Sequence, residues 1–389
     1  MKIVVFGLSI TSSWGNGHAT TYRALLRALH RRKHKIVFFE KDEPWYASNR
    51  DLPLPEFCDL RLFERWEEAL PALRRELSHS DAAVLGSFFS PGIRAADEIA
   101  ASKAKVKIFY DIDTPITLAK LRTGENQYVR RDQIEQFDLY LSFTGGPILQ
   151  QLHREFGARM ALPLYCSFDP SSYFPRPVWR RYQCDLGYMG TYAADRQRKL
   201  EELFLEPARR LKQARLILAG PQYPKALRWP KNVKRIVHLS PKYHPQFYSS
   251  CRFTLNLTRR EMVRWGYSPS VRLFEAAACG CTILSDFWPG IGSILKVGDE
   301  VLLTESGDEV IHLLEDMEEA EAQRIGRRAR ERVLSEHSSD RRAQQFESYV
   351  GFVSGGALRS PGQLLTANGR AAGEQSAIAA CQPGSSITA

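Results

Sequence analysis

The chain has 389 residues, 43% of them hydrophobic, seven cysteines and a formal net charge of +10. At roughly 150 residues per domain this length suggests two domains with full cores, and the lack of any run of about 18 apolar residues argues against a membrane-spanning helix. The cysteines are odd in number, scattered and never paired at ligand spacing, which reads as reduced core thiols with no zinc site.

Met1 leads straight into the strand-like Lys2-Ile3-Val4-Val5-Phe6 with no signal-peptide layout, so a cytoplasmic protein is expected. Apolar runs then recur at 3–8, 36–40, 82–88, 106–111 and 139–143, alternating with helical patterns at 19–30 and 66–77. This is the βαβ signature of a parallel sheet covered on both faces. A Pro-rich stretch, Phe174-Pro175-Arg176-Pro177, precedes a second series of strands at 184–189, 216–219, 235–239, 253–257, 282–285 and 301–304. The expected fold class is α/β, with two Rossmann-like parallel-sheet domains facing across a cleft, residues 1–172 and 173–333. Ligands in such sheets bind beyond the carboxyl ends of the strands. A long charged helical stretch at 309–349 follows, and residues 354–389, rich in Gly, Ser, Ala, Pro and Gln, read as a disordered tail.

A net positive charge admits nucleic acid, anionic membrane or phosphorylated ligands as partners. The sharpest cluster, His30-Arg31-Arg32-Lys33-His34-Lys35, ends a helix-like stretch, where positive charge is favoured by the helix dipole. A solvated helix end is the preferred reading, and no nucleic-acid partner is assigned on charge alone. Steering of a doubly charged ligand, or loose peripheral attachment to an anionic membrane, fits the charge as well.

The most informative stretch runs from Gly266 to Asp286: a Ser-rich loop, a short helix of small residues with one glutamate, a glycine stop and an apolar strand. Ser268 and Ser270 stand where a helix begins, so their hydroxyls and the first free N–H groups suit an anion such as a pyrophosphate. Arg272 adds a fork for phosphate oxygens. Glu275, about one turn inside the helix, suits the two hydroxyls of a ribose diol. The alternative is a tightly packed αβ unit whose glutamate caps a helix or faces solvent. Both readings stay open on spacing alone.

This segment resembles the donor-binding motif of glycosyltransferases with the GT-B fold, in particular the CgeB-like spore-maturation group, and the resemblance extends from Met1 to about Val350. It implies that Glu275 binds the ribose of a nucleotide-sugar, the co-substrate, with no further cofactor and no metal, and that a terminal helix, 334–353, crosses back to the first domain. Many retaining relatives carry another glutamate eight positions earlier, where this chain has Tyr267, which leaves the transferred sugar and the stereochemical outcome open.

Four further motifs follow. The turn Trp14-Gly15-Asn16-Gly17-His18 opens the first helix, and Gly17 lets a ligand approach the backbone. His18 resembles the histidine that deprotonates an acceptor hydroxyl in inverting GT-B enzymes, although the proline of that motif is absent here. Histidine suits general-base work without pKa adjustment, and the other reading has His18 capping the helix. Asp111-Ile112-Asp113 has the D-x-D form of a manganese motif, but in the two-domain architecture it lies in the acceptor domain, so Asp113 is read instead as base, as partner of His18, as a ligand of acceptor hydroxyls or as a turn residue before proline. The turn after 184–189, with Gly190, Arg196, Arg198 and Lys199, resembles the place where GT-B enzymes set basic residues on the donor diphosphate. Arg260, at the end of 253–260, adds charge there, and His238-Leu239-Ser240 is a base-recognition edge.

The sequence therefore predicts a metal-independent glycosyltransferase acting from a nucleotide-sugar, a UDP-sugar first, on an unidentified acceptor hydroxyl of a glycan, lipid, small molecule or protein. The alternatives are a nucleotide-sugar epimerase of the same fold and a non-catalytic nucleotide-sugar-binding protein in spore or envelope assembly.

Overall fold

The computed structural model describes residues 1–355; the tail expected at 354–389 lies almost wholly outside them. The first seven strands are β1 (Lys2–Phe6), β2 (Lys35–Lys41), β3 (Asp59–Phe63), β4 (Ala82–Gly86), β5 (Val106–Asp111), β6 (Leu139–Ser142) and β7 (Ala161–Pro163). A second set comprises β8 (Cys184–Met189), β9 (Leu216–Ala219), β10 (Val233–Ile236), β11 (Cys251–Asn256), β12 (Thr282–Ser285) and β13 (Leu302–Leu303). The seven strands form one sheet in the order β3-β2-β1-β4-β5-β6-β7, and the six form another in the order β10-β9-β8-β11-β12-β13. The paired strands of both sheets run parallel.

Each sheet starts in its middle, winds outward to one edge, and then returns to wind toward the other. The strand order therefore reverses between β1 and β4 in the first sheet and between β8 and β11 in the second. At such a switch point the following loops diverge and leave a crevice at the carboxyl ends of the strands. In the second sheet Leu255 is in register with Tyr188, so the next residues, Met189 and Asn256, emerge side by side at that crevice.

Central strands are apolar on both faces because helices cover both. Ile3, Val4, Val5 and Phe6 are all buried in the first sheet. In the second, Leu186, Leu218, Phe253, Leu255 and Leu284 share a core with Phe204, Leu205 and Val310. Edge strands look different. In β3, Asp59 and Arg61 pair with each other on the surface, and only Phe63 is buried, so no apolar run announces it. The three-residue β7 ends on Pro163, which an edge tolerates.

The chain divides into two compact units. One contains Met1–Ser12, Tyr22–Cys166 and the described residues from Asp340 to 355; the other contains Ser13–Thr21 and Ser167–Ser339. The Ser13–Thr21 loop thus groups with the second unit, where Thr21 Oγ1 donates to the carbonyl of Ser167 at 3.3 Å. The helical stretch expected at 309–349 is three helices, Gly307–Asp316, Glu319–Glu336 and Ser339–Ser354. From Asp340 the last belongs to the first unit: buried Arg342 donates from Nε to the Tyr165 carbonyl at 3.1 Å, and Tyr349 donates to the Pro163 carbonyl at 3.2 Å. The basic cluster after the first helix also meets this helix. Arg31 pairs with Asp340, and Arg32 and His34 both reach Glu347.

Candidate functional site

Helix Val271–Ala278 begins directly after Ser270, whose side chain makes no cap to the helix N–H groups. The Ser270 hydroxyl donates instead to Asn256 Oδ1 at 2.7 Å. Arg272 Nη1 donates to the same oxygen at 2.9 Å, and Arg272 Nε donates to the Met189 carbonyl at 2.5 Å. Asn256 Nδ2 donates to Ser285 Oγ at 2.9 Å, which fixes the orientation of the amide. The guanidinium therefore straddles the switch point, tied to the last residue of β8 and the last of β11. It also lies over the Tyr188 ring, 4.9 Å from its centroid.

Gly190 admits this arrangement. A Cβ there would fall 2.8 Å from Arg272 Nη2 and 2.9 Å from the Tyr188 hydroxyl. Gly220, at the end of β9, has φ +156, and a Cβ on it would meet the Gly190 carbonyl oxygen at 1.9 Å. The two glycine turns thus close on each other at the carboxyl ends of adjacent strands.

Glu275 sits one turn further along the helix and is 4% exposed. Its Oε1 is buried without a hydrogen-bond partner, and its Oε2 lies 3.6 Å from His244 Nδ1. Each of the other buried carboxylates among the described residues accepts at least one hydrogen bond. Glu40 accepts from Ser9, Ile10 and Thr11, Asp111 from Tyr140 and Thr117, Asp169 from Ser171, Asp286 from Thr258, and Glu300 from the Lys296 N–H. An unpaired buried acceptor costs about 1–3 kcal/mol, and more when charged. A site that takes a hydroxyl-bearing ligand recovers that cost on binding.

Two residues not marked by any motif surround Glu275. The Tyr173 hydroxyl lies 3.1 Å from His244 Nδ1, and His244 Nε2 lies 3.1 Å from the Leu239 carbonyl. Tyr173 comes from the linker and His244 from another helix, so sequence spacing carries no trace of either. Near the Gly220 turn, Arg235 stacks between Tyr223 and Trp229, with its carbon 4.4 and 3.9 Å from their centroids, and burial lowers its pKa. Of the expected base-recognition edge, His238 is exposed and Leu239 buried.

The basic residues after β8 take separate positions. Arg196 donates from Nη2 to the Thr191 carbonyl at 2.6 Å, while its Nε is buried without a partner. Arg198 is exposed. Lys199 pairs with buried Asp286, which also accepts from Thr258. Arg260 has an exposed side chain, and its backbone N–H donates to Asp195 Oδ2 at 3.1 Å. Ser268 is buried, with its hydroxyl 3.0 Å from Met262 Sδ. Tyr267 adopts a left-handed φ of +47, and its N–H donates to the Pro289 carbonyl at 2.6 Å.

His18 and Asp113 lie in different units. His18 is half-buried, directly before helix Ala19–Arg31, and its N–H donates to Asn16 Oδ1 at 3.1 Å. Gly17 is exposed, and a Cβ there would meet nothing within 4 Å. Asp111, at the end of β5, is fully buried and accepts from Tyr140 at 2.5 Å, from Thr117 at 3.0 Å and from the Asp113 N–H at 3.2 Å. Burial raises its pKa, against the opposing effect of those hydrogen bonds. Asp111 is thus a structural anchor, and Asp113 is the half-buried residue that precedes helix Thr114–Arg122.

Residues 196–348 match the family described as Glycosyl transferase-like. A search of curated proteins by sequence finds no match. Among solved structures, a sucrose-phosphate synthase from Thermosynechococcus elongatus superposes with a TM-score of 0.64 at 12% identity, covering 92% of this chain and 100% of that one. HepE from Anabaena, solved with UDP and glucose, superposes with a TM-score of 0.65 at 13% identity, covering 90% of this chain and 99% of its own. A glycosyltransferase involved in avilamycin A biosynthesis gives 0.56 at 15% identity, over 92% and 99%. The two parallel-sheet units therefore have the GT-B fold of glycosyltransferases, and residues 196–348 are similar to a glycosyl transferase-like family.

Proposed function

We propose that the protein transfers a sugar from a nucleoside diphosphate sugar, a UDP-sugar, to an acceptor hydroxyl. The observation that carries this reading is the buried carboxylate of Glu275, its Oε1 without a partner, one turn behind Arg272 on a helix that opens at the switch point of the second sheet. In this reading the ribose hydroxyls donate to Glu275. The diphosphate lies against Arg272 and the first N–H groups of helix Val271–Ala278, which Ser270 leaves uncapped. Arg196, with a buried Nε lacking a partner, adds a second cation. The match to the glycosyl transferase-like family and the UDP-bound structural neighbours support the same reading.

The reaction replaces one bond at the anomeric carbon with another. The acceptor oxygen bonds to that carbon as the bond to the diphosphate oxygen breaks, the electron pair leaves with the diphosphate, and the acceptor proton passes to a base. Fixed positive charge at the diphosphate stabilises the leaving group as its charge develops, so the reading assigns no metal. His18 is the residue assigned to the proton, with Asp113 the alternative. The acceptor is a hydroxyl compound; the cytoplasm is the compartment this reading assigns.

A thermal-shift screen across nucleoside diphosphates and their sugars tests the reading. A ligand at one hundred times its Kd adds about 2.7 kcal/mol of stability. UDP and UDP-sugars are expected to raise the melting temperature, and a screen in which no nucleoside diphosphate does so contradicts the proposal.

A further inference from the structure

Between Glu206 and Glu261 the sequence has no Asp or Glu and thirteen Lys or Arg; between Asp169 and Asp185 it has three Arg and again no carboxylate. Folding brings parts of these two stretches together on the second unit. The N–H groups of Arg176 and Trp179 donate to Ser249 Oγ at 3.0 Å and Ser250 Oγ at 2.8 Å, which ties the linker to helix His244–Ser250. Lys234 Nζ, from β10, donates to the Arg181 carbonyl at 2.9 Å. The Trp179 ring meets those of Tyr182 and Tyr243, at centroid distances of 5.1 and 6.0 Å, and Lys242 lies 4.9 Å from the Tyr243 centroid.

This surface is cationic and uncompensated. Arg176, Arg180, Arg181, Lys234 and Lys242 are exposed, and none forms an ion pair among the described residues. Surface arginines of the first unit behave differently: Arg61 pairs with Asp59, Arg74 with Glu98, Arg94 with Glu67 and Arg159 with Asp138. Between Arg176 and Arg180 stand Val178 and Trp179, 62% and 41% exposed. An apolar pair flanked by unpaired arginines matches the boundary of a lipid bilayer, where an indole settles at headgroup level and cations meet phosphate. Single-stranded nucleic acid asks for open ring faces, whereas Arg176 lies 3.7 Å from the Phe174 centroid and Lys242 sits over Tyr243.

We propose that this face of the second unit, built from the 174–183 linker with Lys234 and Lys242, docks on the surface of an anionic phospholipid membrane. The attachment is peripheral: the five cations meet lipid phosphates while Val178 and Trp179 enter the interface. Each cation near such a surface strengthens binding about fivefold, an effect that salt screens. The inference stands apart from the nucleotide-sugar reading, since none of these side chains belongs to the site around Glu275.

Co-sedimentation of the full chain with vesicles tests this. Vesicles of about one-third phosphatidylserine in phosphatidylcholine are expected to bind the wild type, less tightly as salt rises, and vesicles of phosphatidylcholine alone to bind it at least tenfold more weakly. The triple variant Arg176→Gln, Arg180→Gln, Arg181→Gln is expected to lose on the order of a hundredfold, and Trp179→Ser about tenfold with the salt dependence kept. All four side chains are exposed, so the melting temperatures are expected to match the wild type. A charge-matched control, Arg61→Gln, Arg74→Gln, Arg94→Gln, removes the same charge from the first unit and is expected to bind the vesicles as the wild type does. No preference for anionic vesicles, or an equal loss in the control, overturns the proposal. An oligonucleotide that holds the wild type against the vesicles at equal phosphate concentration assigns the surface to nucleic acid and overturns it as well.

Discussion

Arg272 Nη1 donates to Asn256 Oδ1 at 2.9 Å, and this bond joins the end of β11 to the helix that opens at Val271. Because Arg272 Nε is also held by the Met189 carbonyl, the guanidinium is fixed before any ligand arrives. Pre-organisation of this kind spares the ordering cost that a free side chain loses on binding.

Arg272→Lys removes that fixation while keeping the charge. A single ammonium cannot bond Met189 and Asn256 and still present a planar edge to phosphate. Affinity for UDP is expected to fall at least tenfold by calorimetry, with little change in the far-ultraviolet circular dichroism. Unchanged affinity removes Arg272 from diphosphate binding.

Gly190→Ala tests the same arrangement from the other side. Its Cβ would stand 2.8 Å from Arg272 Nη2 and 2.9 Å from the Tyr188 hydroxyl, so the guanidinium must move. The expected outcome is a loss of UDP affinity comparable to that of Arg272→Lys, with a small fall in melting temperature. A variant that binds UDP as the wild type does shows that the guanidinium has room to shift without cost.

His18→Ala is expected to slow transfer by 10²–10⁴-fold, the usual contribution of a general base, with UDP affinity preserved. Initial rates at saturating donor decide this. A near-normal rate assigns the proton to another group, and Asp113→Asn is then the next variant to measure.

The terminal helix supplies a pH dependence of stability. Arg32 donates to Glu347 from Nε and Nη2 at 2.6 Å each, and His34 Nε2 lies 2.6 Å from the same carboxylate. The Arg32 hydrogen bonds, against the opposing effect of burial, and then His34 lower the Glu347 pKa. A pKa depressed on folding contributes stability that is present above the unfolded value of about 4.3 and is lost as pH falls through the folded value. Glu347→Gln is therefore expected to lower the melting temperature by about 2 °C at neutral pH and to converge with the wild type as pH drops below about 4. Curves that stay parallel from neutral pH into that range contradict this role.

The parts of the fold legible in the sequence are those where burial on both faces leaves an apolar run bounded by turns. Strands β8, β9 and β12 begin and end where such runs do. Strands β3 and β7 were invisible because edges carry charge or proline, and β10 was displaced because Arg235 and Ile236 end the strand instead of beginning it. In the site, Arg272 and Glu275 were legible because both lie on one short helix at fixed spacing. The partners that give them meaning were not. Asn256 anchors both Ser270 and Arg272 from the end of β11. Tyr173 and His244 reach Glu275 from distant parts of the chain, and only folding brings them there.

The central claim is that Glu275 is kept open for the ribose of a nucleotide-sugar. Calorimetric titration of UDP into the wild type and into Glu275→Ala tests it most directly. The account predicts measurable binding to the wild type and a loss of at least tenfold in the variant, together with an equal or higher melting temperature, since Ala removes a buried carboxylate whose Oε1 has no hydrogen-bond partner. Equal UDP affinity in the two proteins contradicts it.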